Sequence, residues 1–214
     1  MKNVITIDGP SGAGKGTVAK ALARELGYKY LDTGALYRAI AWKARKEKIS
    51  SDNISSVKIM MENTNITITN DRIMVDDVDV TSDIRTNEIG ELSSKISALP
   101  VVRKGLFNIQ KKICLQGNVV IEGRDTGTTI FPEAENKFFL DASLEERARR
   151  RYEELKNQSP DITIESTLED IRKRDMRDSS RKNSPLKKTA DMIQIDSTNM
   201  SIKEVVLTII ENLK

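Results

Sequence analysis

Val4-Ile5-Thr6-Ile7-Asp8-Gly9-Pro10-Ser11-Gly12-Ala13-Gly14-Lys15-Gly16-Thr17 is the stretch that decides the architecture. Its first four residues form an apolar run closed by Asp8-Gly9-Pro10, which predicts a short buried strand. From Gly16 the pattern turns helical: Val18, Leu22 and Leu26 recur at spacing four, and Gly27 stands just past the end as a C-cap. Strand, glycine loop and helix, in that order, are the context in which G-x-x-x-x-G-K binds phosphate. Glycines let the loop curl so that successive N–H groups point inward, the helix start adds partial positive charge, and Lys15 reaches the outer phosphates. Gly9, Pro10, Ser11, Gly12, Ala13, Gly14, Lys15, Gly16 and Thr17 are therefore expected to cradle a nucleoside triphosphate. The generic motif has Ser or Thr directly after the lysine, whereas here Gly16 intervenes. Thr17 becomes the candidate for the hydroxyl that contacts Mg²⁺, with Ser11 the lesser one.

Outward from this opening, Tyr28 to Leu31 predicts a second strand and Ala35 to Lys46 a second helix. Between residues 63 and 85 the rhythm changes: Ile66/Ile68 alternate, Asn70-Asp71 punctuate, and Ile73/Val75 and Val78/Val80 resume, as in a small antiparallel insertion. Helical period returns with Leu92, Ile96 and Leu99, breaks at Pro100, and continues through Val102, Leu106, Ile109 and Ile113. Three more strand-like runs follow, Val119 to Glu122, Lys137 to Leu140 and Met192 to Ile195. The last two lead into helix starts with capping-box spacing, Ser143 with Glu146 and Ser201 with Glu204. The final helix places Ile202, Val205, Val206, Ile209 and Leu213 on one face. Strands alternating with helices imply an α/β fold, a five-stranded parallel sheet with helices on both faces. A single domain spanning 1–214 is expected.

Composition narrows the chemistry. A chain of 214 residues with one cysteine, Cys114, forms no internal disulfide and offers no pair of thiolates to zinc, which fits a reducing compartment. The absence of histidine removes Ser-His-Asp, Cys-His and His-ligated metal mechanisms together. The formal charge is +3, yet between Arg147 and Lys188 thirteen Lys/Arg stand against eight Asp/Glu. Local guanidinium excess suits a small polyanion such as a nucleotide, or a nucleic-acid backbone. An aromatic content of 4% argues against the latter, since single-stranded nucleic acids are held by stacking. Only five residues separate Asn3 from Gly9-Pro10, too few for a signal core or a membrane span, so a soluble, cytoplasmic protein is expected.

Three further stretches join the glycine loop: Leu31-Asp32-Thr33-Gly34-Ala35-Leu36-Tyr37-Arg38, Val119-Val120-Ile121-Glu122-Gly123-Arg124-Asp125, and Lys173-Arg174-Asp175-Met176-Arg177-Asp178-Ser179-Ser180-Arg181. Together with the insertion, this ordered set resembles the bacterial cytidylate (CMP/dCMP) kinase family over essentially the whole chain. The resemblance implies a monomeric P-loop kinase that moves the γ-phosphoryl of ATP, with Mg²⁺, onto CMP or dCMP, and that has neither nucleic acid nor membrane as partner. It implies that the acceptor's phosphate is held by Thr33, Arg38, Arg124 and Arg181. Guanidinium suits this work because it forks onto phosphate oxygens and keeps its proton, so two phosphates are brought together against their repulsion.

The same resemblance assigns the cytosine edge to Ser94, Arg103 and Asp125. Hydroxyl and carboxylate would accept from the amino group, and the arginine would donate to the ring acceptors. Read from spacing alone, Ser94 and Arg103 would be exposed helix positions. Arg174 and Asp178 match positions that contact the pentose, although at i, i+4 they equally fit a plain helical salt bridge. In the family a lid, here 147–170 with its turn at Asn157-Gln158-Ser159-Pro160, folds over the triphosphate. Arg147 and Arg151 are the candidates for transition-state charge; a solvated helix face reads as well. Within enzymes the rival is a UMP or AMP kinase. Outside them it is a non-catalytic P-loop switch, but the N-K-x-D string of guanine-reading switches does not occur.

Overall fold

In chain order the elements are β1 (Val4–Asp8), α1 (Lys15–Leu26), β2 (Lys29–Asp32), α2 (Thr33–Lys46), α3 (Ile54–Glu62), β3 (Ile66–Thr69), β4 (Arg72–Val75) and β5 (Val78–Asp79). Then follow α4 (Asn87–Ile96), α5 (Pro100–Cys114), β6 (Val119–Gly123), β7 (Asn136–Asp141), α6 (Leu144–Leu155), α7 (Ile164–Ser179), β8 (Ile193–Asp196) and α8 (Ile202–Glu211). The computed structural model describes residues 3–69, 72–115, 117–157 and 161–214, so the expected punctuation at Asn70-Asp71 and the expected turn over Gln158, Ser159 and Pro160 lie outside the described residues. The chain divides into two compact units, one of Met1–Leu31 with Gln116–Lys214 and one of Asp32–Leu115.

The first unit carries the five-stranded sheet, in the order β2-β6-β1-β7-β8. β1 pairs parallel with β6 on one side and β7 on the other, and β7 pairs parallel with β8. Strands covered on both faces need no polar alternation, and β1 is buried at every position. Ile5, Ile7, Val120, Phe138, Leu140 and Ile195 from the sheet pack with Val18, Leu22, Val205 and Ile209 from α1 and α8 in one core. Ligands of such sheets bind outside the carboxyl ends of the strands, where the connections diverge. Here the loop after β1 and the turn after β6 emerge at that edge, from strands in register Asp8 to Gly123.

Helix starts follow their cap residues. Ser201 and Glu204 make a full capping box on α8. On α6 only half of the expected box forms, because Ser143 accepts from the Glu146 N–H while the Glu146 carboxylate goes to Arg149 and Arg150. Hydrogen bonds from these two arginines hold the Glu146 carboxyl down at about 2.

In the second unit Asp32 caps α2 through the Ala35 N–H at 2.8 Å. The insertion is a three-stranded antiparallel sheet, β3-β4-β5, with Ile66 opposite Val75 and Ile68 opposite Ile73. Between Val75 and Val78 the turn residues Asp76 and Asp77 have φ of 48° and 65°, the two-residue left-handed geometry that matches strand twist. Buried Lys43 of α2 anchors that turn, donating to Asp76 at 2.6 Å and to the Asn63 carbonyl at 3.1 Å. Pro100 ends the helical pattern of α4 and opens α5 at its first turn, where a missing N–H costs nothing. Unforeseen elements are α3, the 3₁₀ turn Asp83–Arg85 and a π-helical turn at Thr126–Ile130.

Candidate active site

The loop after β1 is shaped by its glycines. At Gly9, φ is 155° and an added Cβ would sit 1.9 Å from the Leu140 carbonyl oxygen, so no side chain fits where the loop leaves the sheet. α1 then starts at Lys15 with Gly14 as N-cap, a residue with no side chain to cap the first amides. Uncapped N–H groups and the helix dipole make that end an anion receptor. The Lys15 ammonium is buried and reaches back across the loop to the Pro10 carbonyl at 2.7 Å. Burial, with Arg124 and Arg174 adding to it against Glu122 and Asp175, pulls its pKa down to about 7.

Gly16, the departure from the generic motif, has a packing reason. A Cβ there would lie 3.2 Å from Glu122 Oε1 and 3.5 Å from the Tyr30 hydroxyl, itself 3.2 Å from the same carboxylate oxygen. Thr17, the sequence candidate for the hydroxyl that contacts Mg²⁺, is exposed on the first turn of α1.

Arg124, one residue past β6, meets the charged stretch of α7. Its Nε donates to Asp178 at 2.9 Å, and Arg181 donates to the other oxygen of the same carboxylate. Burial opposes ionisation of Asp178, but the charges of Arg124, Arg181 and Arg174 outweigh it and hold the carboxyl below its usual range. Asp178, expected at the pentose, thus also aligns two guanidinium groups, and Arg174 adds its charge to them. Asp125 follows at the head of the π-helical turn and is buried.

Of the α6 arginines, Arg147 is the one sunk into the loop. It donates to the Ser11 carbonyl at 2.9 Å, to the Ala142 carbonyl at 3.0 Å and to Asp175, whose other oxygen accepts the Ser11 N–H at 2.9 Å. Arg150 reaches Ser197 Oγ at 3.1 Å and the Ser197 carbonyl at 2.7 Å, with the Ala13 carbonyl at 3.5 Å. Arg151 donates to Glu154 along the helix surface at 2.8 Å. Arg150 therefore reaches the loop beside Arg147, a contact that the i, i+4 spacing of Arg147 and Arg151 does not indicate.

Thr33, Arg38, Ser94 and Arg103 belong to the second unit. Thr33 is buried at the first turn of α2, and Arg38, one turn on, donates to the carbonyls of Ile84 at 3.0 Å and Thr86 at 3.3 Å. Ser94 and Arg103 are not exposed helix positions: they are 4% and 9% accessible. The Arg103 guanidinium lies 5.5 Å from the centroid of the Tyr37 ring and donates to the Ser97 carbonyl at 3.2 Å. Ser94 Oγ is fully buried and finds no hydrogen-bond partner among the described residues, a group that costs about 1–3 kcal/mol while unmet.

A profile of the cytidylate kinase family matches residues 5–214. The chain belongs to that family. It is 47% identical over 210 residues to the cytidylate kinase of Caldanaerobacter subterraneus subsp. tengcongensis, covering 98% of this chain and 94% of that one. With the cytidylate kinase of Carboxydothermus hydrogenoformans it shares 46% over 211 residues, covering 97% and 95%. Among solved structures, an uncharacterised protein from Eubacterium ventriosum shares the fold at a TM-score of 0.52 and 15% identity, covering 98% of this chain and 97% of that one.

For a cytidylate kinase family member read from sequence, four residues at the loop went unnoticed: Asp8, Glu122, Arg150 and Asp175. Each is a charged side chain with at least one partner far along the chain, which no local spacing marks. The Glu122 carboxylate adjoins the family's G-R-D motif, and Asp175 lies inside the charged stretch, so their motifs were found while their contacts were not.

Proposed function

We propose that the chain transfers the γ-phosphoryl group of ATP to CMP or dCMP. The observation that carries the proposal is electrostatic. Buried Lys15 stands at a helix start whose N-cap is a glycine, and Arg124 and Arg174 gather beside it, with Glu122 and Asp175 the carboxylates that favour its charge. Anionic phosphates are the complement of such a site.

In this reading residues 9–17 hold the triphosphate and Lys15 its outer phosphates. Thr33, Arg38, Arg124 and Arg181 hold the acceptor's phosphate, and Arg174 and Asp178 the pentose. A phosphate oxygen of CMP bonds to the γ-phosphorus as the bond to the bridging oxygen of ADP breaks, in line. The acceptor is already anionic at pH 7, so no strong base is needed and the lack of histidine is no obstacle. Lys15, Arg124, Arg181 and Arg147 stabilise charge on the moving group, with Arg151 brought in as residues 147–170 fold over the nucleotide and exclude water. Mg²⁺ fits the oxygen donors present. The Glu122 carboxylate and Thr17 hydroxyl offer the one or two protein contacts that an ion arriving with phosphates and waters requires. When bound, the ion would neutralise phosphate charge. The reading also takes the chain as a cytoplasmic monomer acting on free nucleotides, in a single kinase domain.

Cytosine is preferred because Ser94, Arg103 and Asp125 present acceptors and a donor to its edge. The unmet Ser94 hydroxyl supports this, since the base's amino group would satisfy it. Uracil sets a carbonyl against the Asp125 carboxylate, a repulsion where cytosine brings a donor. Parallel steady-state assays with ATP and CMP, dCMP, UMP or AMP test the function. CMP and dCMP are expected to give the highest kcat/KM. Absence of ADP formation with every acceptor would favour the switch. In Asp125→Ala the preference for CMP over UMP is expected to fall at least tenfold.

The Lys15 charge yields a pH-dependent outcome. With its pKa at about 7 in the free site, the ammonium is mostly neutral at pH 8, and bound phosphates restore the charge. ATP binding at pH 8 is therefore expected to take up close to one proton. Calorimetry in buffers of different ionisation enthalpy measures this, and a binding enthalpy independent of buffer contradicts it.

A further inference from the structure

Asp8 is the last residue of β1, wholly buried, and the residue immediately before the glycine loop. A carboxylate at such a place is costly unless its oxygens are met. They are met by three donors, all from the two residues that follow Asp125. The Thr126 N–H and hydroxyl each reach Oδ1 at 2.8 Å, and the Gly127 N–H reaches Oδ2 at 2.8 Å. The Thr126 N–H shares a peptide plane with the Asp125 carbonyl. That carbonyl is held from the other end by the N–H of Thr129 at 2.8 Å and of Ile130 at 3.3 Å. Fixing both ends of one peptide fixes ψ of Asp125, 26° here, and so the direction in which its Cα–Cβ bond leaves the chain. Gly127 runs close to β1, since an added Cβ there would lie 2.8 Å from Thr6 Oγ1.

We infer that Asp8 is a positioning residue for acceptor selectivity: it ties the triphosphate loop to the turn that aims Asp125, so that base recognition is set from the strand that starts the loop. The inference rests on the proposed reading of Asp125 as a contact of the base. A purely structural carboxylate would, when altered, lower stability and activity toward every acceptor alike. A positioning one changes the ratio between acceptors. Asparagine at position 8 keeps the shape but turns an amide NH₂ toward an N–H, so one of the turn's donors loses its acceptor.

In Asp8→Asn the KM for CMP is expected to rise about tenfold or more and the CMP-over-UMP ratio of kcat/KM to fall about tenfold, while the KM for ATP stays within about threefold. Thr126→Val, which removes only the hydroxyl donor, is expected to lower the ratio about threefold in the same direction. It carries the test alone if circular dichroism shows Asp8→Asn unfolded. An unchanged ratio in whichever of the two variants is folded overturns the inference. Asp125→Ala measured alongside separates the causes. If it lowers the ratio and the other two do not, the inference alone fails. If it leaves the ratio unmoved, the base-reading role of Asp125 fails and the inference falls with it.

Discussion

Lys15→Met is expected to lower kcat by about 10³-fold or more while leaving the melting temperature unchanged or higher. The rate loss follows from removing a fixed cation from a site where charge moves between phosphates, a term worth roughly 3–4 kcal/mol per group in comparable sites. The stability outcome follows from where the ammonium sits. Its native pKa of about 7 lies below the ordinary 10.5, so between these values the unfolded chain binds more protons than the native one. The native protein therefore bears the cost of the buried charge fully below about pH 7 and is relieved of it as pH rises toward 10.5. Methionine carries no such cost. Its advantage in thermal melts is expected to be largest at pH 6.5 and to shrink by pH 9. A kcat within tenfold of the unmodified protein would remove Lys15 from the transfer step.

Arg124→Ala is the second large effect, and it combines two losses. Asp178 is left buried with one of its two hydrogen-bonded guanidinium partners gone, which costs about 1–3 kcal/mol. At the same time kcat/KM for CMP is expected to fall on the order of 10²–10³-fold. Arg124→Lys separates the two. A lysine restores a charge near Asp178 and so much of the stability, but it cannot fork, and activity should remain low. Full recovery of kcat/KM in the lysine variant would show that charge alone, without bidentate geometry, suffices at this position.

Much of the architecture was legible because it rests on local signals. A five-residue buried strand, a loop whose glycines are required by contacts such as that of Gly9 with Leu140, and a helix with its C-cap at Gly27 all leave marks a few residues apart. The insertion was legible by the same means, through alternation at Ile66/Ile68 and Ile73/Val75. α3 was missed because only Val57 and Met60 of its nine residues are buried, with Ile54 and Ile59 left exposed, so no clear apolar stripe exists to read. The π-helical turn was missed because what holds it, the Asp8 carboxylate, is 118 residues away.

Legibility of the site divided along the same line. The loop, Arg124, Asp178 and Arg181 stood in recognisable strings, but that Asp178 bridges both arginines emerged only from the fold. Spacing alone would have exposed Ser94 and Arg103, whereas α4 and α5 bury both. Arg147, Arg150 and Arg151 lie within five residues on one helix, and which of them meets the loop depends on how α6 lies on it. By itself, then, the amino-acid order determined the elements, the anion-binding loop and the inventory of guanidinium groups, since these depend on periodicity and on residue type. Tertiary structure alone decided which charges are paired, which hydroxyl is left unmet and which carboxylate anchors the turn at Asp125. Burial and partnership are set by residues distant in the chain, and the energy of a polar group depends on them far more than on its neighbours in sequence.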